Sequence, residues 1–344
     1  NFSLEKKLET NIVKGNIKME QENSIGVDLL KLICLLSVAG FTYFCYRMQK
    51  DPKLLLQFLN RLARLFLGFQ EKYVTLPGYK NPLCYMEKGY PSPTTPTFVF
   101  VPGFSCNKEF FGLVSSHLPT KSHVISLDNP GHGKSVLDED KEISIEFFVD
   151  TLKKFVDTIG LKQIHLVGES MGGHIVGYYA AKYPADLSTV CMLCPHGLDF
   201  PWFNDLKNKY LKEGRHFLMP HTFEEMKFTS KQLTVKDLPF PNIVLKGMLQ
   251  DRLEREKFYD ELLKMLCSPP NDLLLQNNLQ KIQVPAVVIF GKEDKVLGYE
   301  SVFPIREKVK SLKKCVVLEN TGHLLTLECP KIVAKNLIEL SSSI

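Results

Sequence analysis

QIHLVGESMGGHIVGYYAAK, residues 163–182, decides how the rest of the chain is read. A short apolar run, Ile164 to Val167, breaks at Gly168-Glu169-Ser170-Met171-Gly172 and resumes as an apolar-faced segment rich in Ala and Tyr. The pattern predicts a strand, a tight turn and a helix. Gly168 and Gly172 flank Ser170 because a serine in a strained turn needs neighbours without a Cβ if strand and helix are to come close. The consequence is a hydroxyl at a helix N-terminus, where free N–H groups and the positive end of the helix dipole can support an anion. That is the setting of a nucleophile elbow.

A nucleophile needs a base, an acid to orient the base, and donors for the oxyanion. The buried run Thr97 to Val101 ends in Pro102-Gly103-Phe104-Ser105, which makes the Phe104 N–H a candidate oxyanion donor beside that of Met171; Pro102 has no N–H to give. A second buried run, Ala286 to Phe290, ends in Gly291-Lys292-Glu293-Asp294, and Asp294 is the candidate acid with Glu293 as the alternative. His323 follows the run Cys315 to Leu318 in the loop Glu319-Asn320-Thr321-Gly322, a setting no other of the nine histidines has. His132, His165 and His174 read as structural, and His196 and His221 as cap or pocket residues. Ser170, Asp294 and His323 each lie just beyond a strand, which places all three at one edge of a parallel sheet.

Composition excludes several classes. The 344 residues are 44% hydrophobic and 24% charged, with a net charge of +5 spread along the chain, so no basic stripe for nucleic acid is expected. Nine cysteines without framework spacing read as reduced thiols, and Cys191 and Cys194, a C-x-x-C inside TVCMLC, as buried strand residues. The loop DNPGHGKS, 128–135, lacks the G-x-x-x-x-G-K-[ST] spacing of a phosphate loop, and no metal or organic cofactor is expected.

Residues 1–24 are polar and mixed in charge and read as a disordered tail. Residues 25–46, IGVDLLKLICLLSVAGFTYFCY, read as a transmembrane signal anchor with Asp28 and Lys31 at one interface and Phe41, Tyr43, Phe44 and Tyr46 at the other. No small-residue cleavage site follows Tyr46, which argues against a signal peptide. Arg47, Lys50, Lys53 and Arg61 after the span place the body in the cytosol by the positive-inside bias. Within 47–68, the stretch KLLLQFLNRLARLFLG from Lys53 has an amphipathic helical face that suits either a membrane interface or packing on the body.

From Phe69 onward the chain alternates strands with helices, including a helix from Lys108 to Leu118 and another from Ser144 to Gly160. The alternation stops after the sixth strand, Leu187 to Cys194. Residues 196–282 hold Pro-punctuated helical pieces, read as a cap over the carboxyl ends of the sheet, before strands resume. The expected fold is α/β, a mostly parallel sheet flanked by helices with that cap inserted.

With those residues assembled, the chain resembles the α/β-hydrolases, and among them the membrane-anchored monoacylglycerol lipases, along most of residues 25–340. The stretches that carry the resemblance are PGFS at 102–105, DNPGHGKS at 128–135, HLVGESMGG at 165–173, CPHGL at 194–198, GKEDKVL at 291–297 and NTGHLLTLECP at 320–330. One departure is Pro102, where the family usually carries a His before the Gly. The resemblance implies Ser170 as nucleophile, Asp294 and His323 as its partners, and main-chain donors at Phe104 and Met171. It also implies a lipid ester as substrate, cleaved to fatty acid and glycerol at a membrane. A lysophospholipase or a carboxylesterase would use the same residues, and a membrane-tethered interaction protein could keep the fold without the chemistry.

Overall fold

The run TFVFV has no polar face, so it can only be a strand covered on both sides, and every residue of it is buried. In the computed structural model, which describes residues 2–3, 6–7, 32–92, 94–199, 201–237 and 240–343, that run is the centre of an eight-stranded sheet. The strands are β1 (Gln70–Val74), β2 (Leu83–Lys88), β3 (Thr97–Val101), β4 (His123–Leu127), β5 (Ile164–Glu169), β6 (Leu187–Leu193), β7 (Ala286–Gly291) and β8 (Leu312–Leu318). Their spatial order is β1-β2-β4-β3-β5-β6-β7-β8. β1 and β2 pair antiparallel, as do β2 and β4, and the remaining pairs are parallel. β3, β4, β5 and β7 are wholly buried, whereas the two edges, QEKYV and LKKCVVL, carry charges that discourage pairing with another chain.

The helices are α1 (Leu32–Lys50), α2 (Pro52–Phe66), α3 (Gly112–Ser115), α4 (Ile145–Thr158), α5 (Met171–Lys182), α6 (Pro201–Glu213), α7 (Phe223–Leu233), α8 (Asn242–Leu253), α9 (Glu256–Leu266), α10 (Val302–Lys308), α11 (Leu325–Glu328) and α12 (Pro330–Ser341). α4 starts where Ser144 accepts a hydrogen bond from the Phe147 N–H at 3.0 Å. It then buries Ile145, Phe148, Val149, Leu152, Phe155 and Val156, spaced along one face. At about 1.5–3 kcal/mol for each fully buried side chain, that face outweighs any intrinsic helix propensity. α5 lies on β5 and β6 with α4 against it, and α12 packs on β6 and β7 with α3 and α11. The expected helix from Lys108 to Leu118 is instead a 3-10 turn, Lys108–Phe111, followed by the single turn α3. The buried Lys108 explains the departure. Its backbone N–H and its ammonium both donate to Asp128, at 2.7 and 2.9 Å, which pins the chain before a regular helix can wind.

That pair organises the whole DNPGHGKS loop. Asp128 also accepts from the Lys134 N–H at 2.9 Å, and Lys108 lies 3.3 Å from Glu71 and 3.4 Å from Glu109. The loop therefore encloses one of the protein's own carboxylates.

α6 to α9 form the cap between β6 and β7. α2 packs against α8, where Gly247 admits the backbone of Pro52 and the side chain of Leu56. Lys53 adds an ion pair to Asp251 at 3.1 Å and a backbone bond to Gln250 at 3.2 Å. At its other end α2 reaches the body, where Arg64 pairs with Glu71 at 3.1 Å and with Glu109. Phe58, Leu59, Leu65 and Phe66 remain exposed on α2. α1 is exposed along its length, with a mean hydropathy of 1.2 over its most apolar window. Residues 25–31 of the expected span lie outside the described residues. So does the expected tail at 1–24, apart from 2–3 and 6–7, which are helical.

Candidate active site

The break between β5 and α5 forces Ser170 to φ 59°, ψ −119°, a left-handed backbone that an L-residue adopts only when its surroundings compel it. The compulsion is visible on each side. The Ser170 N–H donates to Leu193 O at 2.8 Å, and the Ser170 carbonyl accepts from the N–H groups of His174 and His196 at 3.0 and 3.1 Å. A Cβ on Gly168 would strike the carbonyl of Gly172, and one on Gly172 would strike that of Val101. Strand and helix thus meet only because both positions lack a side chain. Ser170 is partly exposed between the buried Glu169 and Met171.

Asp294 and His323 are joined. His323 Nδ1 donates to Asp294 Oδ2 at 2.7 Å, and Asp294 Oδ1 accepts from the N–H groups of Val296 and Leu297 at 2.8 and 3.0 Å. A carboxylate is acceptor-only, so Nδ1 carries the hydrogen and Nε2 is left with its lone pair. Burial by itself would lower the His323 pKa, but the charge and hydrogen bond of Asp294, with Glu169 behind them, outweigh it and hold the pKa above the ordinary 6.5. Burial likewise pushes the Asp294 carboxyl up, and His323 with the two backbone donors brings it below its ordinary value. Glu293, the alternative acid, instead accepts from the Thr321 N–H at 2.9 Å. It thereby props the loop that carries His323.

The loop bearing Phe104 lies against the elbow. A Cβ on Gly103 would stand 3.1 Å from Ser170 Cβ and 2.9 Å from Glu169 O, and the Pro102 carbonyl is held by Asn129 Nδ2 at 2.9 Å. That bond gives the loop a support where the family's usual His is absent. Met171, the first residue of α5, has an N–H with no intrahelical acceptor. Phe104 packs its ring edge-on to Tyr259 of α9, centroids 5.5 Å apart, so the cap touches this loop directly. Ser170 and His323 make no hydrogen bond to each other among the described residues.

Sequence reasoning did not place two neighbours of these residues in the site, having read Cys194 only as a buried strand residue. Cys194 Sγ, the Asp294 carboxylate and the His323 ring lie within 4.8 Å of one another, and burial pushes the Cys194 thiol far up, so it stays neutral. Glu169, the residue before the serine, is buried, and burial pushes its carboxyl up to about 7. Nothing local marks either of them, since their partners are distant in sequence. Of the histidines read as structural, His132 and His165 are buried with partners at Pro130 O and Thr189, at 3.2 and 2.9 Å. His174 meets His196, Nδ1 to Nδ1, at 3.1 Å inside the fold, and His221 sits on the cap surface paired with Glu225 and Glu256.

If His323 Nε2 is the group that takes a proton, activity requires the neutral ring. A pKa held above 6.5 then predicts that kcat/KM falls, as pH drops, with a midpoint above that value. Asp294→Asn removes the charge and allows the wrong tautomer, and kcat is expected to drop about 10⁴-fold. A pH–rate profile of both proteins checks this; a midpoint below 6.5 in the parent chain would count against His323 as the titrating group.

The fold and the sequence have known relatives. The profile of the α/β hydrolase fold family matches residues 96–330. Monoacylglycerol lipase ABHD6 of Homo sapiens is 33% identical over 304 residues, 85% of this chain and 88% of that protein. Monoacylglycerol lipase abhd6-A of Xenopus laevis is 31% identical over 305 residues, with the same two coverages of 85% and 88%. Among solved structures, a bacterial membrane phospholipase A, a virulence factor, superposes with a TM-score of 0.79 at 26% identity, over 92% of this chain and 97% of that one. With a family model matched over most of the chain and relatives above 30% identity, the chain belongs to the α/β-hydrolase fold family.

Proposed function

We propose that the chain is a membrane-anchored serine hydrolase that cleaves the ester of monoacylglycerols to a fatty acid and glycerol. The observation that carries this reading is the strained, partly exposed Ser170 in the same fold edge as an oriented His323–Asp294 pair. The names of the relatives supply the substrate class, since both curated proteins are monoacylglycerol lipases.

Ser170 Oγ attacks the ester carbonyl carbon while His323 Nε2 takes its proton. The carbonyl oxygen, now an anion, lies between the N–H groups of Phe104 and Met171 at the positive end of α5, and such donors act most strongly where water is excluded. Asp294 holds the imidazolium in orientation. As the tetrahedral intermediate collapses, His323 gives the proton to the departing glycerol oxygen and an acyl-enzyme remains. Water, deprotonated by the same Nε2, releases the fatty acid and restores the serine. The hydrogen bond from serine to histidine tightens when substrate is bound.

The exposed apolar helix α1 is the anchor in this reading, and the basic residues Arg47, Lys50, Lys53 and Arg61 behind it keep the body on the cytosolic side. A lipid at the membrane surface then has a short path to the cap.

The purified full chain in detergent is expected to release glycerol from 2-arachidonoylglycerol, and Ser170→Ala to lose roughly 10⁶-fold in kcat. Lysophosphatidylcholine belongs in the same assay because the membrane phospholipase A superposes so well. Faster turnover of that lipid would shift the substrate class, and no turnover of any ester would remove the enzymatic reading in favour of an interaction protein. In carbonate extraction the full chain should stay with the membrane and a chain beginning at Asp51 should be released; release of both would remove the anchor.

A further inference from the structure

Glu169 ends β5, one peptide bond before Ser170, and its side chain is 1% exposed. An unpaired carboxylate in such a place would be costly, and this one is engaged. Its Oε2 accepts from Thr326 Oγ1 at 2.9 Å and its Oε1 from the Thr326 N–H at 3.2 Å. Thr326 lies three residues after His323 and 157 residues from Glu169. The carbonyl of Glu169 meanwhile faces Gly103, whose ideal Cβ would lie 2.9 Å away. A single residue thus touches all three parts of the site. It is covalently joined to the serine, its carbonyl packs under the loop of Phe104, and its carboxylate grips the loop of His323.

We propose that Glu169 is a positioning residue, the strut that sets the His323 loop at its working distance from the elbow and places a second carboxylate in the field of the imidazole. The inference rests on the hydrolase reading above. The titratable groups facing Glu169 are His323, Cys106 on the Phe104 loop, Cys194 at the end of β6 and Cys329 beyond α11. Of these only His323 can become a cation, so the Glu169 charge, carried above the value of about 7 to which burial brings its carboxyl, favours the imidazolium and raises the His323 pKa along with Asp294.

Two consequences separate this role from packing. Removing the charge while keeping the shape must lower the His323 pKa, which moves the acid limb of kcat/KM to lower pH. Removing the strut must lower kcat more than it changes KM, because the reacting groups are misplaced while the acyl pocket stays. The test is the pH dependence of ester hydrolysis by the full chain and its Glu169→Gln, Glu169→Ala and Thr326→Val variants. Glu169→Gln and Thr326→Val conserve volume at the same contact. E169A is expected to lose roughly tenfold to a hundredfold in kcat with KM nearly unchanged. E169Q keeps an oxygen acceptor and should recover most of that kcat with its acid limb displaced to lower pH, and T326V should fall between the parent chain and E169A. Parent-like kcat and acid limb in E169A would overturn the proposal, as would equal losses in E169A and E169Q with the acid limb unmoved. An inert parent chain would take down both readings, whereas an active parent with unchanged variants removes only the role of Glu169.

Discussion

The close approach of β5 to α5 at Ser170 is the constraint on which the rest of the structure depends. A left-handed serine stores of the order of 1–3 kcal/mol of backbone strain, which must be offset by its surroundings. Those surroundings are three backbone hydrogen bonds around Ser170, the missing side chains of Gly168 and Gly172, and the neighbouring strands, β3 wholly buried and β6 buried except at Ser188. The sheet order follows the same need. β3 lies next to β5, so the loop that leaves β3 with Phe104 passes beside the elbow, and β7 and β8 bring Asp294 and His323 to the same edge.

Buried charge is the second theme. Lys108 and Asp128 neutralise each other under the loop at 128–135, and Asp294 is satisfied by His323 and two backbone donors. Each such charge would be expensive alone and is tolerated because every oxygen finds a donor. Glu169 sits between these cases. It has donors but, among the described residues, no ion-pair partner at hydrogen-bond distance, and burial brings its carboxyl up to about 7.

Much of this was legible in the sequence because the signals were local. Apolar runs such as TFVFV and AVVIFG could only be buried strands, the glycines around Ser170 marked the elbow, and Asp294 and His323 stood just past strand ends. The place of the cap showed as an interruption of the strand and helix alternation. What stayed hidden depends on partners far along the chain. The grip of Glu169 on Thr326 spans 157 residues, and the Lys53 bond to Gln250 spans 197. No periodicity reports such contacts. Lys108 read only as the start of a helix, since two of the carboxylates that surround it come from β1 and from the end of β4. The pairing of His174 with His196 was equally invisible, because each histidine alone gives only a polar residue in an apolar setting.

The most direct measurement is a crystal structure of the chain after reaction with a fluorophosphonate. The account predicts phosphorus bonded to Ser170 Oγ, one phosphoryl oxygen accepting from the N–H groups of Phe104 and Met171, and His323 Nε2 within hydrogen-bond reach of Oγ. An unmodified Ser170, or an adduct whose oxygen points away from both donors, would contradict it.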